Sequence, residues 1–549
     1  MTTLQINKPL VDIKPVVKPG ITSDCYLEKQ IVLMTVRIIL LAVLLSGNCL
    51  ADNFYVSTSG NNVTGDGSEN SPWRTIAYAL ENVEAGRGHT INMSAGLFIE
   101  RAPLSVGSKI NLRGAGMYST IITGTSFFYY HPPNPGFEEK RFLFQLDGPL
   151  HDDGEQTLSG FSIDGSSKRI HGGIYINGRS GIRIEDIRIE ETNFCGLWIL
   201  NASDVRINNV SLRNCAWGSS DWCSGAFQFA LIDNVDIDNL NIDEGTGYGI
   251  KSLGHEKDHN LNNFKLHDSR ISVNPKGLWK NGKAPNIAVE IWANSFAGSE
   301  IYNCYFDNHI SIVNSDHSTK PTGHKFRIHH NIFDIQSRAK GKGYGIELTI
   351  HDAEIDHNYF NGGFSGISNW SHAKENWSIH HNIFYGIASI YPTAVINVFN
   401  GNLKKVHIYN NTIELAGKST VNFLQCANGG VSADVVIENN LIINSNTDYS
   451  HYPNRFISLE KGATIENLVV ENNLLKNLPL GDLEGVVRNN HSEDPEIMAV
   501  GERPFPYYQP KSTSPLIGGG VRLRKSSYRQ ATIIGAYEGE EFSKPFTTD

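Results

Sequence analysis

The most regular pattern in this 549-residue chain is a short alternation of apolar and polar positions that recurs through its second half. The stretch Phe326–Phe333 reads F-R-I-H-H-N-I-F, and five later stretches repeat its order of apolar, polar, apolar, two polar, Asn and apolar residues. The copies begin at positions 326, 353, 377, 406, 435 and 468, which gives steps of 27, 24, 29, 29 and 33 residues. Alternation with a period of two predicts half-buried strands, with the Asn where the chain turns.

Repetition at this spacing, without a helical period, predicts an all-β solenoid in which each coil contributes a strand–turn–strand unit, namely a parallel β-helix. The recurring Asn side chains are expected to form hydrogen bonds along the axis. They are Asn331, Asn358, Asn382, Asn411, Asn440 and Asn473. Weaker copies occur upstream and are expected to lack one turn residue; they are Ile182–Ile187, Val205–Val210, Val235–Leu240, Phe264–Ile271 and Ser299–Phe306.

Further motifs occur near the start and the end of the region beyond residue 51. Residues 54–99 contain Y-V-S, G-D-G-S, S-P-W-R-T-I and T-I-N-M-S-A-G-L-F in that order, and Ser514–Gly520 reads S-P-L-I-G-G-G. These ends resemble those of secreted right-handed parallel β-helix proteins, the pectate-lyase-like superfamily of polysaccharide lyases and glycoside hydrolases, which also has members without known activity. The resemblance implies a right-handed β-helix. A short amphipathic helix over Trp73–Leu80 is expected to cap its open first coil.

The N-terminal region has the layout of a secretory signal. Met34–Ala51 combines one basic residue, a short apolar core and small residues at its end. We therefore expect residues 1–33 to be a misannotated extension and residues 34–51 a signal peptide. The β-helix with its cap is expected over 52–477, and an irregular C-terminal cap and terminal segment over 478–549. The protein is expected to be secreted or periplasmic, with no stable membrane span after signal cleavage.

Composition narrows the range of partners. The chain has 52 Gly and only 19% charged residues, which suits short strands joined by many turns. Its net charge of −10 leaves no basic domain that could follow a phosphate backbone, so nucleic acid is not an expected partner. The five Cys beyond the signal include no CxxC pair, which indicates neither a disulfide framework nor a zinc site. A monomer is expected.

A second short strand follows each copy and often reads Gly, an apolar residue, then a residue predicted to point outward. Lys251 and Glu290 are expected to be neighbours in this outward column. Glu290 and Glu347 should lie two coils apart, on the order of 9–10 Å. The whole predicted column is Tyr175, Trp198, Phe227, Lys251, Glu290, Ser311, Glu347, Ser368 and Ile396.

Two chemistries fit these residues. In a lyase, Lys251 would remove the proton α to a uronate carboxyl group, while Glu290 and Asp316 would bind Ca²⁺ against that carboxylate. In an inverting glycoside hydrolase, Glu290 and Glu347 would be acid and base, a pair that usually lies roughly 6.5–9.5 Å apart. Aromatic side chains beside them are expected to bind sugar rings. The predicted substrate-binding residues are Trp198, Trp292, Trp370, His255 and His351.

Local charge favours the lyase. Residues 276–342 contain nine basic and five acidic residues, so this segment carries +4 and the rest of the chain −14. A local positive field predicts an anionic ligand. The sequence therefore predicts cleavage of an acidic polysaccharide by β-elimination, with Ca²⁺ as the one cofactor suggested. The alternatives are the hydrolase, a non-enzymatic carbohydrate-binding or surface protein, and a column of solvated surface residues.

Overall fold

The computed structural model describes most of the chain from Ala51 onward. The described residues are 51–101, 103–125, 142–165, 170–216, 225–244, 248–252, 260–273, 287–314, 320–335, 343–370, 373–389, 391–399, 402–416, 419–446, 453–504, 506–520 and 533–536. The predicted extension and nearly all of the predicted signal peptide lie outside them. Asp52–Asp549 forms one compact unit. In the described ranges, no helix is long and apolar enough to cross a membrane.

Parallel strands make up most of the described residues. The first ten are β1 (Asn53–Val56), β2 (Thr90–Met93), β3 (Gly96–Glu100), β4 (Leu104–Ser105), β5 (Asn111–Gly114), β6 (Thr120–Gly124), β7 (Phe142–Asp164), β8 (Gly172–Glu190), β9 (Cys195–Arg213) and β10 (Gly225–Glu244). The middle strands are β11 (Tyr248–Ser252), β12 (Phe264–His267), β13 (Arg270–Val273), β14 (Val289–Ala293), β15 (Glu300–Tyr302), β16 (Tyr305–Phe306), β17 (Ile310–Asn314), β18 (Phe326–His329), β19 (Ile332–Ile335), β20 (Tyr344–Thr349), β21 (Ala353–Asp356), β22 (Tyr359–Gly362) and β23 (Ser365–Asn369). The last strands are β24 (Lys374–His380), β25 (Ile383–Tyr385), β26 (Thr393–Val398), β27 (Leu403–Tyr409), β28 (Thr412–Leu415), β29 (Val421–Cys426), β30 (Val431–Glu438), β31 (Leu441–Asn444), β32 (Ile457–Leu459), β33 (Thr464–Glu466), β34 (Val469–Glu471), β35 (Leu474–Lys476) and β36 (Val486–Arg488).

Each strand from β11 to β29 pairs in parallel with the strand three places later along the chain. Three strands therefore make one coil, and equivalent strands of successive coils form three sheets along the axis. Sheet 1 contains β11, β14, β17, β20, β23, β26, β29 and β32; sheet 2 contains β12, β15, β18, β21, β24, β27, β30, β34 and β36; sheet 3 contains β13, β16, β19, β22, β25, β28, β31 and β35. The predicted all-β, right-handed parallel β-helix is confirmed. The β-helix continues past residue 477, because β36 lies in the predicted C-terminal cap and pairs with β34 of the preceding coil.

Apolar side chains fill the interior of the cylinder. The Phe that closes the repeat forms a stack of parallel rings through Phe306, Phe333, Phe360 and Phe384, with centroid separations of 5.2, 4.7 and 4.5 Å. Stacking of this kind adds to the stabilisation from burying the rings. The four described Cys are also buried and form no disulfide; they are Cys195, Cys215, Cys304 and Cys426.

The predicted Asn ladder is present at the turn between sheets 2 and 3. Each ladder Asn donates through Nδ2 to Oδ1 of the next, over distances of 2.9–3.0 Å. The ladder continues one residue further than predicted, to Asn490. The left-handed turn residue is the one before each ladder Asn, for example His330 with a φ of 55°.

The upstream copies do not lack a turn residue, contrary to the prediction. Asn209 takes the same left-handed conformation as His330, with a φ of 51°. The residue after it is Val210, which pairs with Leu240 of the next coil. Early coils thus place apolar side chains where later coils place the ladder Asn, and the turn has the same length.

The predicted N-terminal cap is a helix, and its bounds differ slightly. Helix α1 spans Ile76–Asn82, and the side chain of Thr75 accepts a hydrogen bond from the Tyr78 N–H at 3.3 Å. This N-cap satisfies a donor that the first helical turn leaves free. Trp73 precedes the helix and stacks on Phe54 with ring centroids 5.5 Å apart. Ile76 and Ala79 are buried.

Candidate functional site

The strand register of sheet 1 brings the predicted acidic and basic residues together. Lys251 pairs with Glu290, Glu290 with Ser311, and Ser311 with Glu347. The two glutamates therefore lie two coils apart, as predicted. Ser368 follows Glu347 in the same column.

Two members of the predicted column face the core instead. Phe227 pairs with Leu197 and is fully buried in the interior, so its neighbour Gln228 holds the column position. Ile396 likewise pairs with an interior residue, Ile367, and Asn397 takes its place. In both strands the predicted motif begins one residue too early, because Ala226 pairs in line with Gly249 and Val395 in line with Gly366.

The column is not a solvated surface. The side chain of Lys251 is 3% exposed and that of Glu290 is 10% exposed. Ser311 and Ser368 are buried as well. A surface ion pair between mobile side chains therefore does not describe this site, because burial removes the water that would screen the charges.

Lys251 and Glu290 form a close ion pair. Nζ of Lys251 lies 2.6 Å from Oε1 of Glu290 and 4.5 Å from the centroid of the Tyr248 ring. The same Oε1 accepts a hydrogen bond of 2.5 Å from the indole Nε1 of Trp292. One oxygen of Glu290 therefore contacts both an ammonium group and an indole donor.

Glu347 has a different environment. Burial raises the pKa of Glu347 above its usual range, and the negative charge of Glu290 adds to this, while the hydrogen bond from Ser311 partly offsets it. That hydrogen bond joins Oγ of Ser311 to Oε2 of Glu347 at 2.7 Å. The neighbouring His309 is also buried, which lowers its pKa to about 4 and keeps it neutral. The two carboxyls thus differ in their contacts, because Glu290 faces an ammonium group and an indole N–H, whereas Glu347 is buried against a serine hydroxyl.

The predicted sugar-binding residues divide into three groups. Trp292 and Trp370 are half-buried beside the column, and Trp370 lies 4.5 Å from Phe399 between ring centroids. His351 is half-buried, and its backbone N–H donates to Oδ1 of Asn314. Trp198, however, is 3% exposed within a closed apolar cluster, so it offers no open face to a sugar ring. His255 lies outside the described residues.

The residues present do not fit the predicted Ca²⁺ site well. Oε1 of Glu290 is already in contact with Lys251 and Trp292, and a cation would have to compete with the ammonium group. Asp316 lies outside the described residues. Three groups of the described residues have metal-binding spacing, and none includes Glu290.

At and beyond the strand of Glu347, sheet 1 carries buried polar atoms to which the sequence assigned no role. Oγ of Ser368, Oγ1 of Thr349 and Oδ1 of Asn397 are buried, and none of them has a hydrogen-bond partner among the described residues. Burying such a group without a partner costs about 1–3 kcal/mol. The signal available in the sequence was the run of polar residues at one position of successive strands.

Comparisons with known proteins give one matching sequence family and several distant structural matches. Residues 58–322 match a sequence family described as a protein of unknown function (DUF1565). A comparison with curated proteins finds no match. Three similar solved structures are ORF18 of Geobacillus virus E2 (12% identity, 76% of this chain, 60% of that chain, TM-score 0.31), tailspike protein 3 of bacteriophage CBA120 (10%, 79%, 61%, 0.42) and pectate lyase Pel9A (14%, 89%, 96%, 0.32).

The predicted resemblance to β-helix proteins is confirmed. With identities of 10–14% and TM-scores of 0.31–0.42, these matches carry no conclusion about activity. The chain spans about three fifths of the length of the two viral proteins, 60% of one and 61% of the other.

Proposed function

We propose that this protein is a secreted carbohydrate-active enzyme that hydrolyses a glycosidic bond at the outer face of sheet 1. Glu347 is the general acid and Glu290 the general base. The observation that carries this proposal is the contrast between the two carboxyls. They lie two coils apart on one face, where Glu290 contacts a cation and Glu347 has a pKa raised by burial.

The roles follow from inverting hydrolysis. Glu347, whose pKa is raised by burial, donates its proton to the glycosidic oxygen as the bond to the anomeric carbon breaks. Glu290, in contact with Lys251 and Trp292, removes a proton from the water that attacks the opposite face of the sugar. Both carboxyls return to their starting states by proton exchange with solvent. Trp292 and Trp370 are the apolar faces on which sugar rings stack.

The second candidate is β-elimination on an anionic polysaccharide with Lys251 as the base. The excess of basic residues in the segment 276–342 favours an acidic polymer, and Lys251 lies on the same face as Glu290 and Glu347. Its contact with Glu290 disfavours this role, because Nζ already lies 2.6 Å from a carboxylate oxygen of that residue. Under either proposal the protein is a monomer and its substrate is a polysaccharide.

The test is a panel of neutral and uronate-containing polysaccharides, assayed for reducing ends and for unsaturated products by ultraviolet absorbance. We expect reducing ends without unsaturated products. Glu347→Gln and Glu290→Gln should each lower the rate about 100-fold or more, as removal of a general acid or base does. Glu300→Gln is the matched control, a half-buried glutamate on sheet 2.

Unsaturated products that disappear in Lys251→Ala and persist in Glu347→Gln would establish the lyase instead. Cleavage that survives both glutamine substitutions would rule out the hydrolase assignment. Polysaccharide binding without any cleavage would leave a non-enzymatic carbohydrate-binding protein. Circular dichroism of each variant separates loss of activity from loss of fold.

A further inference from the structure

A second group of ionisable side chains lies on the outer face of sheet 2, away from the site on sheet 1. His267 ends β12, and Asp236 and Asp238 occupy neighbouring outward positions on the preceding coil. Nε2 of His267 lies 2.9 Å from Oδ1 of Asp236. Its Nδ1 faces two other carboxylates, at 2.7 Å from Oδ2 of Asp268 and 3.7 Å from Oδ1 of Asp238.

Asp238 and Asp268 each accept a further hydrogen bond through the carboxylate oxygen that does not face Nδ1 of His267. Asn208 donates to Oδ2 of Asp238 at 2.8 Å, and Asn303 donates to Oδ1 of Asp268 at 3.3 Å. The ring of Tyr302 stacks on His267 with centroids 4.7 Å apart and planes within 5°. One nitrogen and two carboxylate oxygens therefore lie within 4.8 Å of one another, with Nδ1 of His267 and Oδ2 of Asp268 in hydrogen-bond contact.

We propose that His267, Asp238 and Asp268 bind one divalent transition-metal ion, of which zinc is the representative. An imidazole with two carboxylates is a ligand set for zinc and its neighbours, whereas calcium and magnesium prefer oxygen ligands alone. Asp236 supplies the carboxylate that characteristically holds the second nitrogen of a metal-bound histidine.

The geometry is compatible with such an ion. Tetrahedral zinc with bonds of about 2.0–2.1 Å sets its ligand atoms roughly 3.3 Å apart. The observed separations of 2.7 and 3.7 Å bracket this value. Small rotations suffice, because the side chains of Asp238 and Asp268 are 42% and 51% exposed.

Charge also favours a cation here. Asp236, Asp238 and Asp268 surround a single imidazole, so the group carries a net charge of −2 even with the ring protonated. The cationic neighbours by register, Arg206 and Lys265, share the column of Asp236 rather than that of Asp238. A dication at Nδ1 would neutralise the two carboxylates that have no basic neighbour in their own column.

Two other groups with metal-binding spacing are already neutralised. Both depend on Asp356, which accepts two hydrogen bonds from Arg327, at 2.8 and 2.7 Å, and lies 2.8 Å from Nδ1 of His357. A metal ion there would have to displace the guanidinium group. The described residues therefore predict one site per chain, at His267.

The test uses the full chain without a polyhistidine tag, stripped with a chelator and titrated with zinc by calorimetry and metal analysis. We expect one zinc per chain, retained in excess calcium and magnesium. His267→Gln should abolish stoichiometric binding, and Asp238→Asn, an exposed change that spares the fold, should do the same. Asp236→Asn should weaken binding roughly 10–100-fold. His380→Gln, at the neutralised group, is the matched control and should bind as the parent does.

A parent protein that binds no stoichiometric zinc would overturn the proposal, and the group would then be an imidazolium held by carboxylates. Zinc binding that persists in His267→Gln, or that disappears in His380→Gln alone, would overturn it too. These readouts measure metal content and affinity, so they do not depend on the activity proposed for sheet 1.

Discussion

Replacing one buried ladder residue should test how much the Asn ladder stabilises the fold. Asn382 is fully buried in the middle of the ladder. Its Oδ1 accepts from the backbone N–H and the Nδ2 of Asn358, at 3.0 and 2.9 Å. Its Nδ2 donates to Oδ1 of Asn411 and to two backbone carbonyls, at 2.8–3.0 Å.

Asn382→Ala removes these five hydrogen bonds and leaves buried partners behind. A typical hydrogen bond contributes about 1 kcal/mol net, and an abandoned buried donor or acceptor costs about 1–3 kcal/mol. Some partners keep a second hydrogen bond, for example Nδ2 of Asn358 with the carbonyl of Ile328. We therefore expect a loss of about 3–5 kcal/mol in the free energy of unfolding.

The end of the ladder offers a matched control. Asn490 makes the same kinds of contact, accepting from Asn473 at 3.1 and 3.0 Å and donating to two carbonyls at 2.9 and 3.1 Å. It is only half-buried on the last coil, so water can replace the lost partner. Asn490→Ala should therefore cost about 1 kcal/mol.

Urea unfolding of both variants and the parent, followed by far-ultraviolet circular dichroism, measures the difference. The midpoint should fall clearly further in Asn382→Ala than in Asn490→Ala. Equal shifts in the two variants would refute the reasoning that burial of the unpaired groups sets the cost. A repeat protein can unfold in segments, so coincident transitions by fluorescence are needed to compare free energies.

Three further predictions concern buried charges, each measured by urea unfolding. Lys251→Met should lower the free energy of unfolding by about 3–5 kcal/mol, because it leaves Glu290 buried without its cation. The double variant that also carries Glu290→Leu should recover most of this loss. A double variant as unstable as Lys251→Met would contradict the explanation. Burial opposes the charge of Asp356, but hydrogen bonds from His357 and Arg327 hold its pKa well below its usual range. Stability should therefore fall as the pH drops below about 4, with a smaller slope in Asp356→Asn. Burial raises the pKa of Glu244 to about 8, so the free energy of unfolding should decline as the pH rises from 4.5 to 8. An equal decline in Glu244→Gln would show that Glu244 is not its cause.

The sequence was sufficient for the fold because each coil repeats the same physical requirement. A ladder Asn such as Asn358 must satisfy buried turn groups, and a residue such as Phe360 must fill the interior, so both recur at a readable spacing. The register of sheet 1 was predicted correctly at Lys251, Glu290 and Glu347. It was wrong at Phe227, because Gly and Ala mark the start of a strand without fixing which residue first faces inward.

The alternation of apolar and polar residues along a strand predicts which side chains point outward. It does not predict whether other residues cover those side chains. Trp198 points away from the cylinder, as predicted, but it packs in a closed cluster with Phe142 and Tyr175. The group around His267 was missed for a related reason. Its residues come from different coils, Asp236 and Asp238 from one and His267 and Asp268 from the next, so no short motif joins them.

The polar column beyond Glu347 yields a prediction that links stability to function. A column that served packing alone would be expected to hold apolar side chains, yet Oγ of Ser368 is buried without a partner among the described residues. Ser368→Ala should then stabilise the fold by about 1 kcal/mol, because it removes an unsatisfied polar group. If that hydroxyl binds sugar in the proposed site, the same substitution should weaken polysaccharide binding several-fold in calorimetry. Ser458→Ala, at a buried serine of β32 at the far end of the same sheet, is the control. Stabilisation without any loss of binding would separate this column from the site and confine the proposed chemistry to Glu290 and Glu347.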